Sequence, residues 1–462
     1  MCVHEAESGL QARPQEGHRG TGSGHGYRSF FLEDSVVIAG NIRSVQVRHG
    51  TGIFGIGEAP FLVSIRISVT HFPSLAMRAF RMNSAAGRSI DVDFFRGLVL
   101  IVIALDHITG SFLSRLMLHT YAFCDSAEVF VFLGGYASAA AYTVVLARGG
   151  PSGATRRFLR RSLEIYRAYL FTALLMLLAG GTLALLKTNK AMLDLMEWHQ
   201  FVQEPFHELL DIALFRHQPY LASVLPMYVV FALCVPFLIP FAARAPAVAL
   251  AGSGLVWALA PWLAPLVPVT HTGEWAFNPF AWQLMFVLGA LCRLHPVPDA
   301  FQVSRLGRNL TYLAVAVTLA MAVAKLFIFV NPLPGEMKAN LSMVRVGSFV
   351  AIAWLLAQAV RVGAVRWLAQ RLPSIVTVGR TGLVCFVAGT VVSLAIDTMT
   401  FHGQIHGARG LLVSLAGDGA AIAMLIGIAT LWQRLNARVK AERMTDQARE
   451  FVRMRFARVT RD

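Results

Sequence analysis

The chain has 462 residues, 56% of them hydrophobic and only 15% charged, with a mean hydropathy of +0.57. Soluble domains carry about 25% charged and under about 50% apolar residues, so this composition excludes a water-soluble multidomain enzyme, a disordered chain and a secreted disulfide scaffold. The formal charge of +15 does not mark a nucleic-acid binder, because Lys and Arg lie between apolar segments and in the two tails, without interleaved stacking aromatics.

The class that remains is an all-α, polytopic integral membrane protein. Its five cysteines (Cys2, Cys124, Cys234, Cys292 and Cys385) are scattered, with no C-x-x-C or Cys/His metal spacing. They read as small hydrophobes, and no metal site is expected.

Residues 1–88 are rich in Gly, His, Arg and Ser, with apolar runs far too short to span a bilayer. They read as a disordered cytoplasmic extension, or as translation from an upstream start with Met77 or Met82 as the true beginning. From Asp93 onward, apolar stretches of roughly 20 residues recur, the length needed to cross a hydrocarbon core of about 30 Å. About ten are predicted, near 94–114, 126–147, 163–186, 220–242, 246–267, 277–294, 310–330, 343–362, 374–397 and 411–432. Residues 89–435 form the transmembrane domain and 436–462 a basic tail. Arginines 148, 156, 157, 160 and 161 follow the second span, and the later even-numbered loops and the tail are again rich in Arg, which places both termini in the cytoplasm.

Ionisable groups at bilayer depth are site candidates by default. The first span carries Asp91, Asp93 and Arg96 at one end, then Asp106 and His107 towards the other. Arg96 and His107 are eleven residues apart, which at about 100° per residue is three turns plus roughly 20°, so both point to one face about 16 Å apart. Asp106 points about 100° away from His107. The second span opens with Asp125 and Glu128, a short connection from the first, and a carboxylate at that depth could orient the imidazole for general-base work. Lys325, Arg345, Arg380, Asp397 and Asp418 are further intramembrane candidates, explained equally by pairing between spans.

The stretch DVDFFRGLVLIVIALDHITGSF, followed by CDSAEVFVFLGGYASAAAY, PYLASVLPMYVVF, FNPFAWQLMFVLGAL, KANLSMVRVG and VGRTGLVCFVAG, resembles the OpgC family of bacterial inner-membrane proteins over roughly residues 90–435. Gly134 departs from the family's pattern, where a serine is expected, so no hydroxyl role is expected there. The resemblance implies succinylation of osmoregulated periplasmic glucans. The family is also similar to the type 3 membrane acyltransferases, whose first span carries Arg or Lys, ten residues, then His, a pattern that Arg96 and His107 match. It implies His107 as catalytic base, with Asp106, Asp125 or Glu128 as accompanying carboxylates, and Arg96 in handling the donor. It further implies Asn278, Trp282, Gln283, Lys338, Asn340 and Arg345 as groups lining the acceptor or acyl site. The expected partners are an acyl-CoA donor, with succinyl the expected acyl group, a periplasmic glucan acceptor and membrane lipid. No permanently bound cofactor is expected. The competing reading is a transporter or flippase for a lipid-linked sugar or acyl group; such proteins often show internal repeats, and the two halves of this chain show no convincing self-similarity.

Overall fold

The computed structural model describes residues 89–459, except 189, 271–274, 330–334 and 402–406, together with 29–32 and 35–38. In the first of two units, β1 (Ser29–Leu32) pairs antiparallel with β2 (Ser35–Ile38), Phe30 opposite Val37. Apart from this hairpin, the expectation of a disordered extension over 1–88 lies outside the described residues.

The second unit is helical. Its main elements are α1 (Ile90–Asp106), α2 (Ser126–Leu186), α3 (Trp198–Gln203), α4 (Pro205–Ala213), α5 (Val224–Arg244), α6 (Pro246–Ala258) and α7 (Pro279–Leu294). The series continues with α8 (Arg305–Val323), α9 (Met343–Arg361), α10 (Pro373–Arg380), α11 (Gly382–Phe401) and α12 (Ala408–Val459). The reading as a membrane protein holds, because apolar side chains face outward, with Phe237 79% exposed and Leu185 85% exposed, as expected where lipid is the solvent.

The predicted count of about ten spans is not confirmed. Among the described residues, six helices are long and apolar enough to cross a membrane, with the kinked α2 counted once, or seven if α6 and the bent turn at Ala260–Leu266 form one span, with a 66° bend between them. Every predicted stretch is helical at least in part, but the boundaries differ for physical reasons. The second and third are two helices that adjoin within α2, meeting at a kink where Gly150 takes a left-handed φ of 65° ahead of Pro151, as the two separate predicted stretches require. The ninth is divided at Thr381 into α10 and α11. The first and sixth are short helices of 17 and 16 residues, below the roughly 20 that span a bilayer unaided. The tenth runs without a break through the predicted tail boundary at 436.

Packing centres on α2, which contacts α7, α5 and α1, while α1 packs on α10 and α11. Two crossings are set by glycine pairs. A Cβ at Gly97 of α1 would strike the Ile375 carbonyl, and one at Gly379 of α10 would strike the Asp93 carbonyl. Gly135 of α2 and Gly289 of α7 stand in the same relation to the carbonyls of Phe286 and Phe132. Small residues let these backbones touch, the usual basis of tight helix contacts in lipid.

Candidate active site

Helix α1 ends at Asp106, earlier than the span predicted to reach 114, and His107 is its C-cap residue. The imidazole therefore stands at a helix end and not in the middle of a span. Its hydrogen-bond partner is the backbone of Ile103, one turn back, and the Tyr220 ring meets it edge-on with centroids 6.0 Å apart. With one ring nitrogen held by a carbonyl, the other is left as an acceptor in the neutral form.

The turn after His107 is pinned from the end of the chain. Thr109 N donates to Asp397 Oδ1 at 2.8 Å, Leu113 N to Asp418 Oδ2 at 2.9 Å and Phe112 N to Ser414 Oγ at 2.7 Å. Ser414 in turn donates to the Gly110 carbonyl at 2.6 Å. Two intramembrane acids singled out from sequence, Asp397 and Asp418, thus serve as acceptors for the backbone that holds His107 in place. Asp106 is turned aside: it accepts from Ser114 Oγ at 2.8 Å and Ser126 Oγ at 3.2 Å, and lies 3.5 Å from His119 Nδ1.

Neither carboxylate at the start of α2 orients the imidazole by a hydrogen bond, which corrects that expectation. Asp125 and Glu128 form a capping box, Asp125 Oδ1 accepting from Ala127 N at 2.7 Å and Glu128 Oε2 from Asp125 N at 2.9 Å. The remaining oxygens take cations. Arg345 Nε donates to Glu128 Oε1 at 2.6 Å, and Arg345 Nη2 and Lys338 Nζ both lie 2.9 Å from Asp125 Oδ2. Glu128 is fully buried and Arg345 nearly so, whereas Lys338 reaches the surface, so the two buried charges are compensated within a four-charge, net-neutral network. Lys338 and Asp125 are close enough for their charges to act on His107. Lys338 also stands over the Phe277 ring at 5.7 Å, and Lys325 over Phe123 at 5.6 Å.

Of the six residues expected to line a substrate, Asn278, Asn340 and Trp282 hold the segment that carries Lys338, and Gln283 is tied to α6. Asn278 caps α7 through Phe280 N at 3.0 Å and donates to Asn340 Oδ1 at 2.8 Å and the Ala260 carbonyl at 2.9 Å. Trp282 donates to the Lys338 and Ala339 carbonyls at 3.0 and 3.1 Å. Gln283 pairs with Ser253 of α6, accepting from its hydroxyl at 2.7 Å and donating to its carbonyl at 2.8 Å. At the loop's end, buried Leu341 holds a left-handed φ of 47°. Lys338 and Arg345 are the two whose charge points at the site.

At the other end of α1, Asp93 is buried and meets Arg380 Nε at 3.4 Å. Arg96 lies against Gly382 and acts on Tyr228 of α5. His107 meets Tyr220, eight residues earlier, so the two ends of the stripe face one neighbouring segment. Gly134 is explained here as well: a Cβ there would stand 2.8 Å from the Tyr228 ring and hydroxyl, and that hydroxyl donates to the Phe130 carbonyl at 2.9 Å. Among the described residues, no group of three or more His, Cys, Asp or Glu side chains is disposed to hold a metal ion.

A family model described as OpgC protein matches residues 88–437, well over half of the chain. The chain belongs to the OpgC family. The match takes in α1 to the first part of α12, and so every residue of the site above. Among curated proteins and solved structures, no significant match was found. The candidate site also contains groups that the sequence did not point to. Tyr220 reads as an interface anchor, and Ser414 carries no signal at all, since its partners are backbone groups 302 and 304 positions away in the chain.

Proposed function

We propose that this protein is a succinyltransferase of the bacterial inner membrane, with both termini cytoplasmic. Membership in the OpgC family supports a glucan-modifying acyltransferase in general. In this reading it moves the acyl group from cytoplasmic succinyl-CoA to hydroxyls of a periplasmic glucan. The observation that carries the reading is the stripe on α1: an imidazole fixed at one helix end by Ile103 and Tyr220, and a guanidinium eleven residues before it facing the same segment.

Arg96 holds CoA phosphate groups by charge-assisted hydrogen bonds, and the pantetheine arm reaches along α1 over the roughly 16 Å of helix rise. His107 takes the proton of a sugar hydroxyl as its oxygen attacks the thioester carbonyl. The tetrahedral intermediate collapses with cleavage of the C–S bond, the CoA thiolate leaves, and the proton passes from His107 to the sulfur. The products are a sugar ester and CoA thiol. Lys338, whose charge reaches His107, receives the free carboxylate of the succinyl donor. Asp125 and Glu128 keep Lys338 and Arg345 in place and do not act as the base's partner.

The test is transfer of labelled succinate from succinyl-CoA to a glucan by the purified protein in detergent. His107→Ala is expected to lower kcat by about 10²–10⁴-fold, the usual range for a positioned general base. Arg96→Ala is expected to act chiefly on the KM for succinyl-CoA, as loss of uniform donor binding does. Unchanged transfer in His107→Ala removes that residue from the mechanism, and absence of CoA release with any acyl donor removes the enzyme reading.

A further inference from the structure

Between α9 and α10 lies a short helix, Ala364–Arg371, for which the mechanism above has no use. Helix α9 is one of those long and apolar enough to cross a membrane. The chain leaves it at Arg361, turns at Gly363 with a left-handed φ of 79°, and enters the short helix at once. The short helix thus sits where a span emerges from the bilayer. We propose that it is a docking site for a phospholipid with an anionic headgroup, held by Arg366 and Arg371 beside Trp367. Docking here is independent of the acyl-transfer chemistry.

The faces of the helix follow from its packing. Val365 and Ala369, one turn apart, are buried in a cluster with Phe94 of α1 and Val376 of α10. At about 100° per residue, Ala364 and Leu368 fall on one flank of this buried seam and Arg366 and Gln370 on the other. Trp367 and Arg371 occupy the side turned away from it. All six of these residues are exposed, Trp367 at 51%. An apolar flank, a polar flank and a tryptophan between them are what a helix lying in the plane of a membrane surface presents to acyl chains, water and headgroups.

Charge selects the headgroup. Residues 361–374 contain three arginines and no acid. Arg361 Nε donates to Gln358 Oε1 at 3.0 Å, but among the described residues neither Arg366 nor Arg371 meets a carboxylate. Arg371 lies over the Trp367 ring, 4.0 Å from its centroid. A guanidinium stacked in this way is held flat and keeps its N–H edge for paired hydrogen bonds to a phosphate. A zwitterionic headgroup would bring an ammonium up to the same two cations, whereas an anionic one meets no such repulsion. A soluble phosphate compound would satisfy the arginines but leave exposed Leu368 and Leu372 without an apolar partner, which the acyl chains of a lipid supply.

The experiment counts lipids bound to the full-length protein in neutral detergent by native mass spectrometry, after addition of phosphatidylglycerol or phosphatidylcholine. Preferential retention of phosphatidylglycerol is expected. Arg366→Gln/Arg371→Gln is expected to weaken that retention about 25-fold, or about fivefold for each arginine near a charged membrane surface, with phosphatidylcholine unaffected. Arg434→Gln/Arg438→Gln removes the same charge from an exposed stretch of α12 and is expected to change little. A second measurement reads position without touching the arginines: brominated phosphatidylglycerol is expected to quench the fluorescence of Trp367, taken as the difference between the unaltered protein and Trp367→Phe, more than brominated phosphatidylcholine does. Equal retention of the two lipids, an equal loss in both arginine pairs, equal quenching by the two brominated lipids, or release of phosphatidylglycerol by millimolar inorganic phosphate overturns the docking site.

Discussion

Four acids, three of them buried and Asp125 half-buried, surround the His107 end of α1, and they are satisfied in two different ways. Asp125 and Glu128 meet cations, Lys338 and Arg345, whereas Asp397 and Asp418 meet backbone amides of the turn after His107. The first pair ties α2 to α9 by charge and brings Lys338 up to the site. The second pair ties α11 and α12 to a stretch of chain that has no helix of its own to satisfy its N–H groups. A buried carboxylate in a membrane sequence is therefore not by itself evidence of acid–base chemistry. Two of these anchor cations and two anchor a loop, and the base chemistry is proposed for the imidazole of His107 that they surround.

That contrast can be broken most directly at Arg345. Arg345→Met leaves the fully buried Glu128 with an uncompensated charge, and is expected to cost about 3–5 kcal/mol, read as a large fall in thermal stability in detergent. The double variant Glu128→Gln/Arg345→Met removes both charges and is expected to recover most of the loss. Equal stabilities of the single and double variants would mean that the pair is not coupled.

A smaller effect is expected on the amide-bound side. Asp418→Ala strips the acceptor from Leu113 N and is expected to cost about 1–3 kcal/mol. Asp418→Asn keeps an acceptor oxygen and is expected to cost clearly less, because here the oxygen matters more than the charge. A loss in Asp418→Asn as large as that in Arg345→Met would abolish the distinction between the two sets. Least of all is Ser414→Ala, expected to cost about 1 kcal/mol, since it removes only neutral hydrogen bonds, to Phe112 N and the Gly110 carbonyl, at a half-buried position. Its signature is a fall in kcat that exceeds its effect on thermal stability, because the turn it loosens carries His107.

Much of the local structure around the site was written in short-range pattern. The D-x-x-E at Asp125–Glu128 is a capping box by spacing, and it marks the start of α2 where it occurs. Asn278 followed by Pro279 signals an N-cap with proline at the first helical position, which is how α7 begins. The eleven-residue step from Arg96 to His107 follows from helix geometry alone. What misled was depth: hydropathy continued the first span to 114 because Ile108, Phe112 and Leu113 are apolar, although the chain there turns and relies on side chains of α11 and α12.

The sequence by itself determined the helical class, the membrane as solvent, the family and the stripe that places Arg96 and His107 on one face, because composition and a 3.6-residue period act over distances shorter than a helix. Only the tertiary structure decided which acid meets which base, that Asn278, Asn340 and Trp282 hold the segment carrying Lys338, that Tyr220 stands against His107, and that six or seven of the described helices have the length to cross. Those outcomes depend on pairings between residues 56 to 305 positions apart, and in a medium that cannot solvate a charge each buried group takes whatever partner the packing of helices brings within reach.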